Sequence, residues 1–142
     1  MTRPIEHRVG VRAPAERIWE IIADLPAWNA WNPIFPEASG TIAIGGRLSL
    51  VERMPDRPER LVEARVVEWV PNAQLIWAER RGFLARSTRY IEIEELQPGA
   101  CIVANGEIFG GFLGEDYGHK HRRLLRRACA ELGEALRLRA EA

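Results

Sequence analysis

The 142-residue chain has the length of one domain, and its 46% hydrophobic and 28% charged residues exclude a disordered segment. Its 20 basic and 20 acidic residues cancel, so no overall field attracts it to nucleic acid or to an anionic membrane. We expect a single domain over residues 1–142 and no nucleic-acid partner.

The first predicted elements are a strand and two short helices. Residues 5–11 alternate apolar and polar side chains, with the period of a half-buried strand. Pro14 stands where proline suits the start of a helix, and Pro26 stops that helix. A second helical turn follows, in which Trp28 and Trp31 lie three residues apart and share a face.

Between residues 38 and 110 the pattern is that of β-structure. Short runs rich in Gly, Pro and Asn separate the apolar stretches and predict hairpins, hence an antiparallel meander. The predicted strands are 38–44, 47–54, 60–70, 73–80, 86–96 and 100–109.

Residues 115–139 predict one long amphipathic helix at the end of the chain. At about 100° per residue, His121 falls near the middle of its apolar arc and Tyr117 near the edge. Leu125 and Leu132 lie on the same arc.

The order of elements predicts an α+β fold in which a curved seven-stranded antiparallel sheet wraps around the C-terminal helix. One helix cannot fill the concave side of a strongly twisted sheet over its whole length. The remaining space is either packed core or an apolar pocket, which is the usual form of a small-molecule site.

The cellular compartment is predicted from the absence of sequence features typical of secreted and membrane proteins. It has no apolar stretch typical of a signal peptide and no run of about 20 apolar residues that would span a membrane. Its 2 cysteines, Cys101 and Cys129, are too few for a secreted disulfide scaffold. We expect two small buried thiols in a cytoplasmic protein.

His121 leaves three interpretations open. It is a histidine at the edge of the core bonded to a backbone carbonyl, or a polar anchor inside the pocket, or a metal ligand. The last is disfavoured because no Cys, Asp or second His is spaced to join it. We expect no metal site and no cofactor.

Glu107 and Arg89 are the other candidates for polar chemistry. Glutamate side chains are usually exposed, so we expect Glu107 to face solvent. If it faces inward, it could orient a ligand or act as an acid or base. Alternation puts Arg89 on the side of Ile91 and Ile93, either at the rim of the pocket or beyond the core.

The predicted ligand-binding wall consists mainly of large apolar side chains, with a tyrosine and a histidine as its polar part. Its members are Trp28, Trp31, Phe35, Trp77, Ile91, Ile93, Ile108, Tyr117, His121 and Leu125.

Several segments together resemble the SRPBCC superfamily, also called START-like or helix-grip proteins, and within it the polyketide cyclase/dehydrase-like group. They are Val11–Trp19, Asp24–Pro33, Arg65–Pro71, Leu75–Trp77 and Glu107–Gly111.

The resemblance implies a helix-grip fold with a deep cavity and a ligand such as a lipid, a polyketide or a sterol. It also covers aromatase/cyclases, ring-hydroxylase subunits, coenzyme Q-binding proteins and chaperone activators. The ring-hydroxylase branch is rejected because His7, His119 and His121 lack the metal-binding arrangement of those domains.

Three functional hypotheses follow. The first is a non-catalytic module that binds a small hydrophobic molecule, with a homodimer left open as its assembly. The second is a cyclase or dehydratase that uses His121, Tyr117, Glu107 or Arg89 as acid and base, which requires at least two of them to converge on one cavity. The third is a protein-interaction module with a filled core and an exposed apolar patch.

Overall fold

A computed structural model describes residues 4–82, 85–111 and 113–142. The strands are β1 (Ile5–Val11), β2 (Glu37–Gly40), β3 (Arg47–Glu52), β4 (Arg60–Val70), β5 (Gln74–Arg81), β6 (Ala85–Gln97) and β7 (Ala100–Gly110). The helices are α1 (Ala15–Ala23), a 3₁₀ helix (Leu25–Ala30), α2 (Gly114–Lys120) and α3 (Arg122–Glu141).

All strands join one seven-stranded sheet in the order β1-β7-β6-β5-β4-β3-β2, and every neighbouring pair is antiparallel. Strands β2 to β7 form a meander, while β1 lies beside the last strand. α3 packs across β1 and β7, and α1 contacts α3 and β6. The predicted curved sheet around a C-terminal helix is confirmed.

Strand β2 is shorter than predicted, because it ends at Gly40 rather than at residue 44. Gly40 has a φ of 130°, and a side chain there would collide with the backbone oxygen of Arg47. The chain then turns, with the N–H of Gly46 donating to the carbonyl of Ala43 at 2.7 Å.

The core lies between the concave face of the sheet and the helices. α3 contributes a continuous row of buried residues, Leu125, Ala128, Cys129, Leu132 and Leu136. Cys101 and Cys129 are both buried free thiols, as predicted. No helix in the described ranges is long and apolar enough to cross a membrane.

The prediction of one helix over residues 115–139 is wrong, because His121 separates α2 from α3. Its φ of −107° and ψ of 18° depart from helical values. Gly118 and the flanking histidines have low helix propensity. Gly118 also lets α2 approach β7 so closely that an added Cβ would lie 2.8 Å from Cδ2 of Phe109.

Candidate functional site

Three predicted site residues form one row across the inner face of the sheet. Trp77 of β5 pairs with Arg89 of β6, and Arg89 pairs with Glu107 of β7. Side chains that are directly opposite on neighbouring strands project to the same face. Trp77 and Arg89 are each 3% exposed and Glu107 is 2% exposed, so the row is buried.

The expectation that Glu107 faces solvent is wrong, and so is the placement of Ile108 in the pocket. Asn105, Glu107 and Phe109 project inward with the period of the strand, which turns Ile108 to the convex face, where it is 38% exposed. The polarity of a single residue does not override this alternation, because inverting one side chain would invert its neighbours as well.

Glu107 is held between two arginines. Arg89 Nη1 donates to its Oε1 at 3.3 Å, and Arg81 Nη2 donates to its Oε2 at 3.2 Å. A buried carboxylate needs such partners to remain charged away from water. Arg89 therefore lies within the core, not beyond it.

The ion pairs continue from Arg81 toward the surface. Arg81 Nη2 lies 3.4 Å from Glu79 and 3.9 Å from Glu52, and Arg60 binds both oxygens of Glu79 at 2.7 and 2.8 Å. The hydrogen bonds to Glu79, against a desolvation cost, raise the pKa of Arg60 above its ordinary value. We call these six residues the inner ion network: Glu52, Arg60, Glu79, Arg81, Arg89 and Glu107.

Arg89 is the most incompletely bonded member of the inner ion network. Its Nη2 reaches Asn105 only at 3.5 Å and the Cys129 sulfur only at 3.8 Å. Its Nε is buried and has no hydrogen-bond partner within the described ranges. Phe35 lies 5.1 Å below the guanidinium carbon, an attractive cation–π distance.

A small cavity adjoins Arg89, Glu107, Phe35 and Trp77. It offers about 10 Å³, the room of about one water molecule. Pockets for drug-sized ligands hold roughly 300–1,000 Å³. Among the described residues around Arg89, the deep cavity that the resemblance implies is thus nearly closed.

Aromatic rings form an apolar wall beside the inner ion network. The centroids of Trp28 and Trp77 are 6.1 Å apart, and those of Phe35 and Trp77 are 5.9 Å apart. Trp28 is anchored by an Nε1–H bond of 3.0 Å to the Ile22 carbonyl. Trp31 is only partly buried, and its ring meets Trp28 edge-on.

The remaining apolar site residues lie deeper in the core. Ile91 and Ile93 extend the inner face of β6, and Leu125 and Leu132 approach it from α3; all four are buried. They belong to the main hydrophobic core.

Tyr117 and His121 form a second cluster with Arg57, which lies between β3 and β4. Arg57 Nη1 donates to the Tyr117 hydroxyl, and its Nη2 donates to His121 Nδ1, both at 2.6 Å. Burial, then the positive charges of Arg57 and Lys120, lowers the pKa of His121. His121 therefore accepts a bond from Arg57 at Nδ1, and its ring makes no bond to a backbone carbonyl among the described residues.

Arg81 joins the two clusters. Its guanidinium carbon lies 5.1 Å from the centre of the Tyr117 ring, while its Nη2 donates to Glu107. The four predicted acid–base candidates thus belong to one continuous set of contacts from His121 to Arg89. Within the described residues, no three His, Cys, Asp or Glu side chains are grouped to hold a metal.

Sequence reasoning missed Arg57, Glu52, Glu79, Arg60 and Arg81. Alternation could have found Glu79 and Arg81, since they continue the inward series begun by Leu75 and Trp77. No local pattern identifies Arg57, because it reaches Tyr117 from a loop 60 positions away.

The sequence matches a family model described as polyketide cyclase / dehydrase and lipid transport over residues 3–141. No curated protein sequence matches the chain.

Solved structures share the fold. A START superfamily protein from Mycobacterium smegmatis superposes with a TM-score of 0.78 at 21% identity, covering 97% of both chains. The Zhui aromatase/cyclase from Streptomyces sp. R1128 gives 0.78 at 17% identity, covering 99% of this chain and 94% of its own. The di-domain aromatase/cyclase StfQ from the steffimycin biosynthetic pathway gives 0.76 at 13% identity, and this chain covers 51% of it.

Proposed function

The chain belongs to the polyketide cyclase / dehydrase and lipid transport family, and from that premise we propose that it binds a small, largely hydrophobic molecule between the inner sheet face and α3. The ligand class is a lipid, a polyketide or a similar aromatic or isoprenoid molecule. Its apolar body lies against Trp28, Phe35 and Trp77, and an oxygen atom of the ligand accepts a hydrogen bond from Arg89.

The observation that carries this proposal is the Nε of Arg89, which has no hydrogen-bond partner among the described residues. It is buried beside the small cavity, and the hydrogen bonds of the same guanidinium are long. An unsatisfied buried donor is costly, and a hydrogen bond to a charged group contributes about 1.5–3 kcal/mol. A ligand carbonyl, phenolate or carboxylate would recover that free energy.

Binding requires the interior to open, because about 10 Å³ holds no ligand of this class. α2 is the element whose displacement would open it. This seven-residue helix covers Phe109 through Gly118, and the bonds from Arg57 to Tyr117 and His121 fasten it to the loop before β4. Moving α2 outward would uncover Phe109 and, beside it, Arg81 of the inner ion network.

Tryptophan fluorescence provides the test, since Trp28 and Trp77 form the proposed wall. The protein is titrated with oleate, a flavonoid and a sterol, and we expect at least one of them to quench the emission saturably. Arg89→Lys keeps the charge but loses Nε and the planar fork, so the affinity should fall about tenfold, the equivalent of one lost hydrogen bond.

Arg126→Lys is the matched control, because Arg126 lies on the exposed side of α3. It should leave the affinity unchanged. The proposal fails if none of the three ligand classes quenches the tryptophans, or if the two lysine variants bind equally well.

A second candidate function, a polyketide cyclase or dehydratase activity, is favoured by the convergence of acid–base groups. Glu107 could accept a proton, Arg89 and Arg81 could hold a developing oxyanion, and Tyr117 with His121 lies at the other end of the same contacts. The test is turnover of a poly-β-ketone surrogate by the wild type and by Glu107→Gln. Binding without turnover would retain the first proposal and remove the second.

A further inference from the structure

The outer face of the sheet carries a groove of about 570 Å³ over strands β3 to β6. Four arginines, two glutamates and two alanines line it: Arg47, Arg65, Arg80, Arg86, Glu63, Glu79, Ala64 and Ala78. Its volume lies within the range of small-molecule sites. The side chains of the four arginines and Glu63 alternate with the inward Val62, Ala64 and Trp77, so they project from the outer face of the sheet. The Glu79 side chain faces inward, where it binds Arg60 and Arg81.

The arginines stand opposite one another in pairs. Arg47 of β3 faces Arg65 of β4, and Arg80 of β5 faces Arg86 of β6. Like charges directly across an antiparallel ladder are destabilising. Elsewhere the same strands pair opposite charges, as in Glu52 facing Arg60.

The positive charge of the groove is not neutralised within the described ranges. None of its four arginines forms an ion pair there, and Arg65 donates only to the carbonyl of Gly45, at 3.1 Å. Glu63 accepts instead from the hydroxyl of Ser49 at 2.9 Å. A chain with equal numbers of acidic and basic residues has therefore concentrated unpaired cations in one groove.

Protection of a sheet edge does not explain this cluster. Charged side chains often blunt edge strands against association, but β4 and β5 are interior strands with neighbours on both sides. On an ordinary solvent-exposed face, interspersed acidic and basic side chains would avoid the repulsion between the arginines.

We infer that this groove is a binding site for a small organic anion carrying a phosphate or a pair of carboxylates. Guanidinium groups bind both oxyanions through paired hydrogen bonds. Ala78 lies opposite Arg65 and two residues from Arg80, so it supplies an apolar floor between the cations. An anion with a flat apolar body fits this arrangement better than an inorganic ion.

Calorimetric titration at low ionic strength tests the assignment with four probes: phenyl phosphate, inorganic phosphate, phthalate and a polyglutamate peptide. We expect phenyl phosphate or phthalate to bind at least threefold more tightly than inorganic phosphate and to weaken as salt is added. Comparing phenyl phosphate with phthalate distinguishes a phosphate ester from a dicarboxylate. Tighter binding of the peptide than of either aromatic anion would overturn the small-molecule assignment in favour of an acidic protein partner.

Variants locate the binding. Arg80→Gln and Arg86→Gln should each reduce the affinity at least fivefold, whereas Arg126→Gln on the exposed side of α3 removes the same charge and should not. Equal effects of all three would show only a general ionic attraction and overturn the site.

A second measurement does not depend on the choice of probe. Because Arg80 and Arg86 repel each other, Arg80→Gln should raise the melting temperature of the protein at low salt, and the gain should shrink at high salt. A fall in melting temperature at low salt would contradict the premise that these charges are unneutralised.

Discussion

Replacing Arg89 by methionine tests how the inner ion network is held. The side chains of Arg89 and Glu107 are 4% and 3% exposed, so Arg89→Met leaves a buried carboxylate with Arg81 as its remaining cation. Removing one partner of a buried ion pair costs about 3–5 kcal/mol. Because Arg81 stays, we expect the lower end, about 3 kcal/mol, or a fall in melting temperature of about 6–12 °C for a chain of this size.

The double variant Arg89→Met/Glu107→Leu removes both charges of the pair. Apolar replacement of a buried pair is often neutral or stabilising, so the double variant should be at least about 2 kcal/mol more stable than the sum of the single losses predicts. Urea unfolding followed by tryptophan fluorescence measures all variants. If the losses in free energy of unfolding are additive, or if Arg89→Met loses less than about 1 kcal/mol, then Glu107 does not depend on Arg89 as its buried partner.

Three further outcomes are expected. Stability should decrease as the pH falls below 6.5 toward the lowered pKa of folded His121, because the unfolded chain then binds more protons than the folded chain. Arg57→Gln should flatten this slope in urea titrations, since the Arg57 charge is the second cause of the lowered pKa after burial; an unchanged slope would exclude the Arg57 charge as a cause. Gly106→Ala should lower the free energy of unfolding by about 1–3 kcal/mol, since its Cβ would lie 2.5 Å from the Ile5 carbonyl oxygen. Gly10→Ala, whose Cβ would have nothing within 4 Å, should be tolerated, and equal melting temperatures of the two variants would contradict this packing. Because burial raises the pKa of the Cys101 and Cys129 thiols, neither should react with a thiol reagent until urea unfolds the chain. Rapid labelling of the native protein would contradict this and show that the core is open.

The fold was accessible to sequence reasoning because its signals are periodic. The alternation of β6 and β7 and the apolar arc of the last helix each repeat over many residues. One residue that departs from the pattern therefore does not change the predicted element. The break at His121 is not predicted because the apolar arc of the helical wheel continues through it. A helical wheel also contains no contact between elements, such as the close approach of Gly118 in α2 to Phe109 in β7.

The candidate site was harder to predict because its residues break the usual rule that charges face water. For that reason the sequence predicts an exposed Glu107 and does not indicate Glu79 or Arg81 as site residues. Their burial is tolerable only because three glutamates and three arginines from five strands meet on the inner face. That compensation arises from strand register, which short-range sequence patterns do not contain.

Isotope-filtered nuclear Overhauser spectroscopy, on labelled protein with the ligand that quenches its tryptophans, shows whether the ligand lies between the sheet and α3. We expect contacts from the ligand to the rings of Phe35 and Trp77 and to the methyl groups of Ile91. Contacts confined to the outer face around Ala78, with none to Phe35 or Trp77, would contradict it.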